Sequence, residues 1–207
     1  MVKIWDANSS ACLKTLEGHS DAVWSVAFSH DSTQEVSGSE DKMVKIWDAS
    51  SGACLKTLEG HSDAVWSVAF SLDGSQAVSG SEDKMVKIWD AGSGACLKTL
   101  RVGRTVYNVA FDTTGSYLLT DTGTTLWDIS SDSNTALAAT ALEEPRHHGY
   151  GLNADRVWIA WNGQNVLWLP SEYRPSCSAV ASSTIVIGCP SGRVLIINFS
   201  FNKSPLK

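Results

Sequence analysis

Long apolar runs are missing from this chain: no stretch approaches the roughly 18 to 20 apolar residues that a bilayer crossing needs, and no basic start leads into an apolar core. A surplus of basic charge is missing too. With 22 acidic residues against 16 basic ones and a net charge of −6, nothing favours nucleic acid or an acidic lipid surface, both of which are met by clustered Lys and Arg. No GxxxxGK[ST] loop is there to cradle phosphates. Cysteine is odd in number, and three of the five (Cys12, Cys54 and Cys96) occupy one equivalent place in successive repeats. They are therefore no disulfide framework and are expected to be small buried thiols. His147 and His148 are adjacent, but neighbours on an extended segment point apart, and no Cys, Asp or Glu cluster stands nearby at ligand spacing. No metal and no cofactor is expected. Helical periodicity is absent as well. Without a membrane span or a signal segment, a cytosolic location is expected.

What is present is repetition. VKIWD occurs at Val2 to Asp6, Val44 to Asp48 and Val86 to Asp90, spaced by 42 residues each time. Residues 11–52 and 53–94 are identical at 37 of 42 positions, differing at His30/Leu72, Ser32/Gly74, Thr33/Ser75, Glu35/Ala77 and Ser50/Gly92. A period of this length suits a four-stranded propeller blade. Within one unit, Ala22 to Ser29 is apolar on both alternating faces, as an inner strand between neighbouring blades would be. Asp31-Ser32 is turn chemistry. Gln34 to Ser39 predicts a second strand, Glu40-Asp41-Lys42 a tight turn, Met43 to Asp48 a third strand and Ala53 to Leu58 a half-exposed outer one. Glu35, standing where its copy has Ala77, either points outward or is buried at a cost to the first blade.

The dipeptides Gly18-His19 and Trp47-Asp48, and again Gly60-His61 and Trp89-Asp90, resemble the paired signatures of WD-repeat β-propellers. That resemblance implies an all-β propeller, and 207 residues at a period of 42 give about five blades, in either an open partial propeller or a closed five-bladed ring. It also implies a buried hydrogen-bond network in each blade, formed by His19, Ser37, Asp41 and Trp47 in one and by His61, Ser79, Asp83 and Trp89 in the next. Such groups can satisfy one another's donors and acceptors. Recurrence of the same His, Ser and Asp in successive blades argues for a structural network over a hydrolytic triad.

The pattern then decays. A third unit keeps Val109 to Phe111 and Leu126-Trp127-Asp128, yet Arg101-Val102-Gly103-Arg104 replaces the Gly-His pair and the Trp spacing falls to 38. Beyond it turn and strand signals alternate through Arg156 to Trp161, Gln164 to Leu169, Ser183 to Gly188 and Arg193 to Phe199. The segment from Trp161 to Phe199 is similar to the closing part of large fungal proteins of the vegetative-incompatibility-like, STAND-type group. In these a NACHT nucleotide-binding switch precedes a WD-repeat array. The expected organisation is one propeller region over 1–207: a partial blade at 1–17, full blades at 18–59 and 60–100, a decayed blade at 101–142 and two degenerate blades at 143–207. Met1 falls in register with Met43 and Met85, so the chain opens inside a blade and is expected to come from the C-terminal end of a longer protein. Further blades or an NTPase domain would lie upstream. Alternatively, Ala11 to Leu16 pairs with the last blade and shuts the ring.

The first residues of each inner strand and the turn between the second and third strands should emerge at one rim. This makes Ala22, Trp24, Glu40 and Lys42, and then Ala64, Trp66, Glu82 and Lys84, the candidate contacts for a protein ligand, since Trp is enriched at interaction hot spots. Against this, the two tryptophans could simply pack between blades, and the charges could be ordinary solvated turn residues. The functional expectation is a recognition scaffold, the ligand-sensing end of a STAND-type protein. Its rivals are a truncated remnant that binds nothing and a propeller enzyme, which would need converging, non-repeated acids or bases that the sequence does not offer.

Overall fold

The computed structural model describes residues 1–112, 115, 117–121, 123–126, 146–153, 155–181 and 183–199. Strands β1 (Val2–Trp5) and β2 (Cys12–Leu16) form a hairpin. Blade I follows as β3 (Val23–Phe28), β4 (Gln34–Ser39), β5 (Val44–Asp48) and β6 (Cys54–Leu58), and blade II as β7 (Val65–Phe70), β8 (Gln76–Ser81), β9 (Met85–Asp90) and β10 (Cys96–Arg101). Blade III comprises β11 (Val109–Phe111), β12 (Tyr117–Thr120), β13 (Gly123–Leu126) and β14 (Arg146–His148). Two three-stranded sheets complete the described residues: β15 (Tyr150–Leu152), β16 (Trp158–Trp161) and β17 (Gln164–Trp168), then β18 (Cys177–Ala181), β19 (Thr184–Gly188) and β20 (Val194–Asn198). Each sheet is an antiparallel meander, sequential strands lying side by side. The fourth strand of blade III thus lies beyond the boundary expected at 142, and Trp127 and Asp128 fall outside the described residues. No helix among the described residues is long and apolar enough to cross a membrane.

Turn chemistry repeats with the blades. Before each outer strand an aspartate folds the chain back on itself: Asp48 accepts the hydroxyls of Ser50 and Ser51 and the Ser51 N–H, and these bonds hold its carboxyl at about 2. Asp6 and Asp90 do the same with Ser9 and Ser93.

Inner strands press face to face, and glycine makes the approach possible. A Cβ on Gly38 would stand 2.6 Å from Cγ1 of Val65 and 2.9 Å from Cγ1 of Val68, and one on Gly80 would stand 2.7 Å from Cγ1 of Val106. The N–H of Val68 donates to Ser25 Oγ at 3.1 Å, and the N–H of Val109 repeats that bond to Ser67 Oγ at 3.0 Å. Around these seams lie two apolar clusters, one joining blades I and II (Val36, Ile46, Val65, Val68, Trp89) and one joining II and III (Val78, Ile88, Val106, Leu118). A third cluster unites the C-terminal sheets, and a small one seats the hairpin on blade I through Val2, Leu16 and Trp47.

The arc is open. Among the described residues β2 pairs with β1 and with no C-terminal strand, so the ring is not shut by Ala11 to Leu16. Blade I shows what this does to identical sequence. Val68 is 4% exposed and its copy Val26 50%, because β7 packs on β3 while, among the described residues, no inner strand packs on the other side of β3. The expectation that Ala22 to Ser29 is pressed between blades therefore holds for the copy in blade II and fails in blade I.

Cys12, Cys54 and Cys96 are exposed, contrary to the expected buried thiols. Each sits at a bulge opposite the strand-three tryptophan, as in the pairing of Trp47 with Cys54. The irregular register turns the thiol outward, where Sγ donates to the carbonyl of the lysine two residues on, Lys56 in the case of Cys54 at 3.4 Å. The outer strand's buried position is Leu58 instead.

Candidate functional site

Two side-chain relays sit inside blades I and II. Indole N–H groups only donate, so Ser37 Oγ accepts from Trp47 Nε1 at 2.8 Å and passes its own proton to His19 Nε2 at 2.7 Å. His19 Nδ1–H then donates to Asp41 Oδ2 at 2.8 Å. Blade II repeats the relay with Trp89, Ser79, His61 and Asp83 at the same distances. Burial lowers the pKa of His19 despite the pull of Asp41, which favours the neutral ring this arrangement requires. Asp41 and Asp83 are pushed up by burial. Bonds from the histidines and from backbone N–H groups, those of Ser20 and Met43 for Asp41, outweigh it and hold both carboxyls below their usual range.

The order Ser, His, Asp is that of a hydrolytic triad, but the oxygen is in the wrong place for one. Ser37 and Ser79 are fully buried and each already accepts an indole N–H. No carbonyl carbon reaches them, and the relay ties strand two to strand three and to the loop before strand one.

The rim lies at the starts of the inner strands. Trp24 and Trp66 stack with ring centroids 4.6 Å apart, Tyr107 follows Trp66 at 5.5 Å, and the Arg156 guanidinium sits 5.2 Å from the Tyr107 ring. The result is a ladder crossing three blades to the edge of the C-terminal sheets. Trp24 and Tyr107 are each about half-exposed, so the tryptophans both pack between blades and face solvent. Beside the ladder Glu40, Lys42, Glu82 and Lys84 are exposed, and Glu82 accepts the Trp66 indole N–H at 3.2 Å. Lys42 and Lys84 both hold φ at 71°, a left-handed conformation that glycine or asparagine adopts at lower cost. Ala22 is exposed, but Ala64 is buried because its blade has neighbours on both sides; Ala64 leaves the contact set.

The ladder ends at a charged cluster that sequence reasoning missed. Asp121 is 3% exposed and lies 3.6 Å from Arg104 Nη2 and 3.4 Å from Arg156 Nη2. Burial drives its carboxyl above the usual range against the attraction of both guanidiniums. A cavity of about 560 Å³ opens beside it, lined by Tyr107, Asn108, Asp121, Arg156 and Ser176 to Ser178. A signal did exist. Placing Val109 to Phe111 on Val26 to Phe28 sets Tyr107 on Trp24 and Asp121 on Gly38. Arg156, from the β15–β16 turn, gives no such signal. Among the described residues no group of His, Cys, Asp and Glu is arranged to hold a metal.

Residues 10–48 and 52–90 match the family model for the WD domain, G-beta repeat. The vegetative incompatibility protein HET-E-1 of Podospora anserina is 48% identical over 101 residues, which is 49% of this chain and 7% of that protein. This chain therefore spans a small fraction of that relative's length. Among solved structures, the computationally designed Ika8 protein is similar with a TM-score of 0.60 and 23% identity, covering 95% of this chain and 52% of its own. The computationally designed Ika4 protein follows at 0.56 and 24%, covering 91% and 98%. At such identity the likeness is one of fold alone.

Proposed function

Since the chain carries two WD repeats folded as propeller blades, we propose that it is a protein-interaction scaffold whose ligand meets the rim bearing the Trp24, Trp66 and Tyr107 ladder. The observation that carries this is the ladder itself. Three aromatic rings at equivalent places in successive blades run in one line and stay partly open to solvent, flanked by charges of both signs. Large, rigid aromatic surface is what interaction hot spots are made of. The left-handed lysines add to it, since strained backbone tends to persist where a side chain serves a contact. The relays beneath act as the frame: they fix each blade so that the rim is presented without reordering on binding, which lowers the entropic cost of association.

In this reading the chain is the C-terminal, ligand-sensing part of a cytosolic STAND-type signalling protein, with further blades and an NTPase domain outside these residues. The 48% identity with the vegetative incompatibility protein HET-E-1 over 101 residues supports kinship with that fungal group. Photo-crosslinking tests the surface. A benzophenone amino acid at Lys84 should give a protein adduct in extracts of the source cells that disappears in a Trp24→Ala, Trp66→Ala double variant. A benzophenone at Leu97 on the outer strand should give none. Equal labelling from both positions, or adducts indifferent to the two tryptophans, would defeat the proposal.

A further inference from the structure

The seam after blade III differs from the two before it. Where blades I and II carry Gly38 and Gly80 pressed by the valines of the next blade, blade III carries Asp121, and a cavity replaces the tight approach. That carboxylate stands between two guanidiniums, an excess of one positive charge among the described residues. Neither ion pair is short: 3.6 and 3.4 Å compare with the roughly 2.7–2.9 Å of a strong charge-assisted bond. Asp121 Oδ1 and Arg104 Nε and Nη2 have no hydrogen-bond partner although they are buried. Buried charge left unbalanced and polar atoms left unpaired are costly, and of these groups Asp121 lines the cavity, where a ligand that supplies what it lacks recovers part of that cost. Arg156 is placed for it. Its Nη1 donates to the Ser176 carbonyl at 3.2 Å, its guanidinium faces the Tyr107 ring, and its backbone holds φ at 58°, in the left-handed region.

We infer that this cavity receives an acidic side chain of the protein bound on the rim, its carboxylate on Arg156 and its backbone N–H directed to Asp121. The excess positive charge selects an anion and disfavours a lysine. The unpartnered Asp121 oxygen asks for a donor, which a peptide carries as an N–H beside its carboxylate, at a separation that the single O–H of a compact ion such as phosphate does not span. The cavity volume lies within the range of pockets that hold small ligand groups. A ladder of aromatic rings leading to a cationic terminus thus defines the partner: an apolar surface followed by a Glu or Asp.

The inference rests on the rim reading, yet it can be tested without the partner. Arginine side-chain N–H resonances of the intact chain are followed by NMR during titration with N-acetyl-glutamate methylamide, its glutamine analogue, N-acetyl-lysine methylamide and inorganic phosphate. Saturable movement of the Arg156 resonance is expected with the glutamate compound alone. It should vanish in Arg156→Gln, survive weakened in Arg156→Lys as monitored on Tyr107, and tighten roughly three- to tenfold in Asp121→Asn, which removes the competing negative charge. Thermal melts confirm that each variant is folded. A larger response to phosphate or lysine, or an Asp121→Asn variant that binds no tighter, overturns the inference. A Trp66→Ala variant that loses the rim adduct but keeps this titration separates the two proposals.

Discussion

Glu35 offers the sharpest test of how these blades are held. It is 2% exposed on β4, cross-strand from Phe28 and Trp47, and its Oε2 has no hydrogen-bond partner. Its copy in blade II is Ala77, fully buried at the same place, so the surroundings already accept a small apolar residue. An unpartnered buried polar group costs about 1–3 kcal/mol. The half-exposed Phe28 next to it lets the carboxyl relax toward water, which places the gain for Glu35→Ala near the lower end, about 1 kcal/mol at pH 7. For a chain of this length that is an increase of roughly 2–4 °C in Tm. The pH dependence supplies the sign. Burial raises the folded pKa above its usual 4.5, so the native state binds the proton more tightly. The wild-type chain is therefore relatively more stable below 4.5 and loses that stability as pH rises through the folded value. Urea unfolding followed by tryptophan fluorescence should show the variant ahead at pH 7 and level with or behind the parent at pH 4. Glu35→Gln, which keeps the bulk and removes the charge, should recover part of the gain. A variant no more stable at pH 7, or a gain that persists unchanged at pH 4, would refute the argument.

Ser79→Ala strips the central oxygen from the blade II relay and leaves the Trp89 indole and the His61 ring without their partner, for an expected loss of about 2–4 kcal/mol by denaturant titration. Gly80→Ala drives a methyl into Val106 and should cost about 1–3 kcal/mol, with amide exchange in β11 accelerating more than in β3. Acid should unfold the chain in two stages. His19, whose folded pKa is lowered, contributes stability that is present above 6.5 and fades as pH falls below it; Asp41 and Asp83, lowered from 3.8, contribute stability that is lost as pH falls through their folded values. Melts between pH 7 and 2 should show both limbs, and Asp83→Asn should flatten the lower one. Lys42→Asn relieves the left-handed turn and should raise stability by up to about 1 kcal/mol in the same melts.

Periodicity carried most of the fold. Gln34–Ser39 is a strand with the bounds the turn residues predict, and the signature dipeptides point to side chains that meet inside each blade. Strand alternation and turn chemistry are local, so they survive in sequence. What depends on neighbours does not. Val26 and Val68, or Ala22 and Ala64, occupy identical local sequence and differ in exposure because one blade is flanked on both sides and the other is not. The outward thiols depend on a bulge that no composition marks. Asp121, Arg104 and Arg156 come from three separate stretches, and only the stacking of sheets brings them together.

The glycine and valine seam has a bearing on inheritance. Because blades I and II differ at so few positions and meet through the same pair of surfaces, a gene that duplicated or lost this unit by misaligned recombination would still encode a chain whose parts fit. Each added copy would lengthen the row of aromatic rings by one rung. A copy placed after blade III would instead find a carboxylate where glycine is needed, so the array is free to grow on one side of Asp121 and stopped on the other.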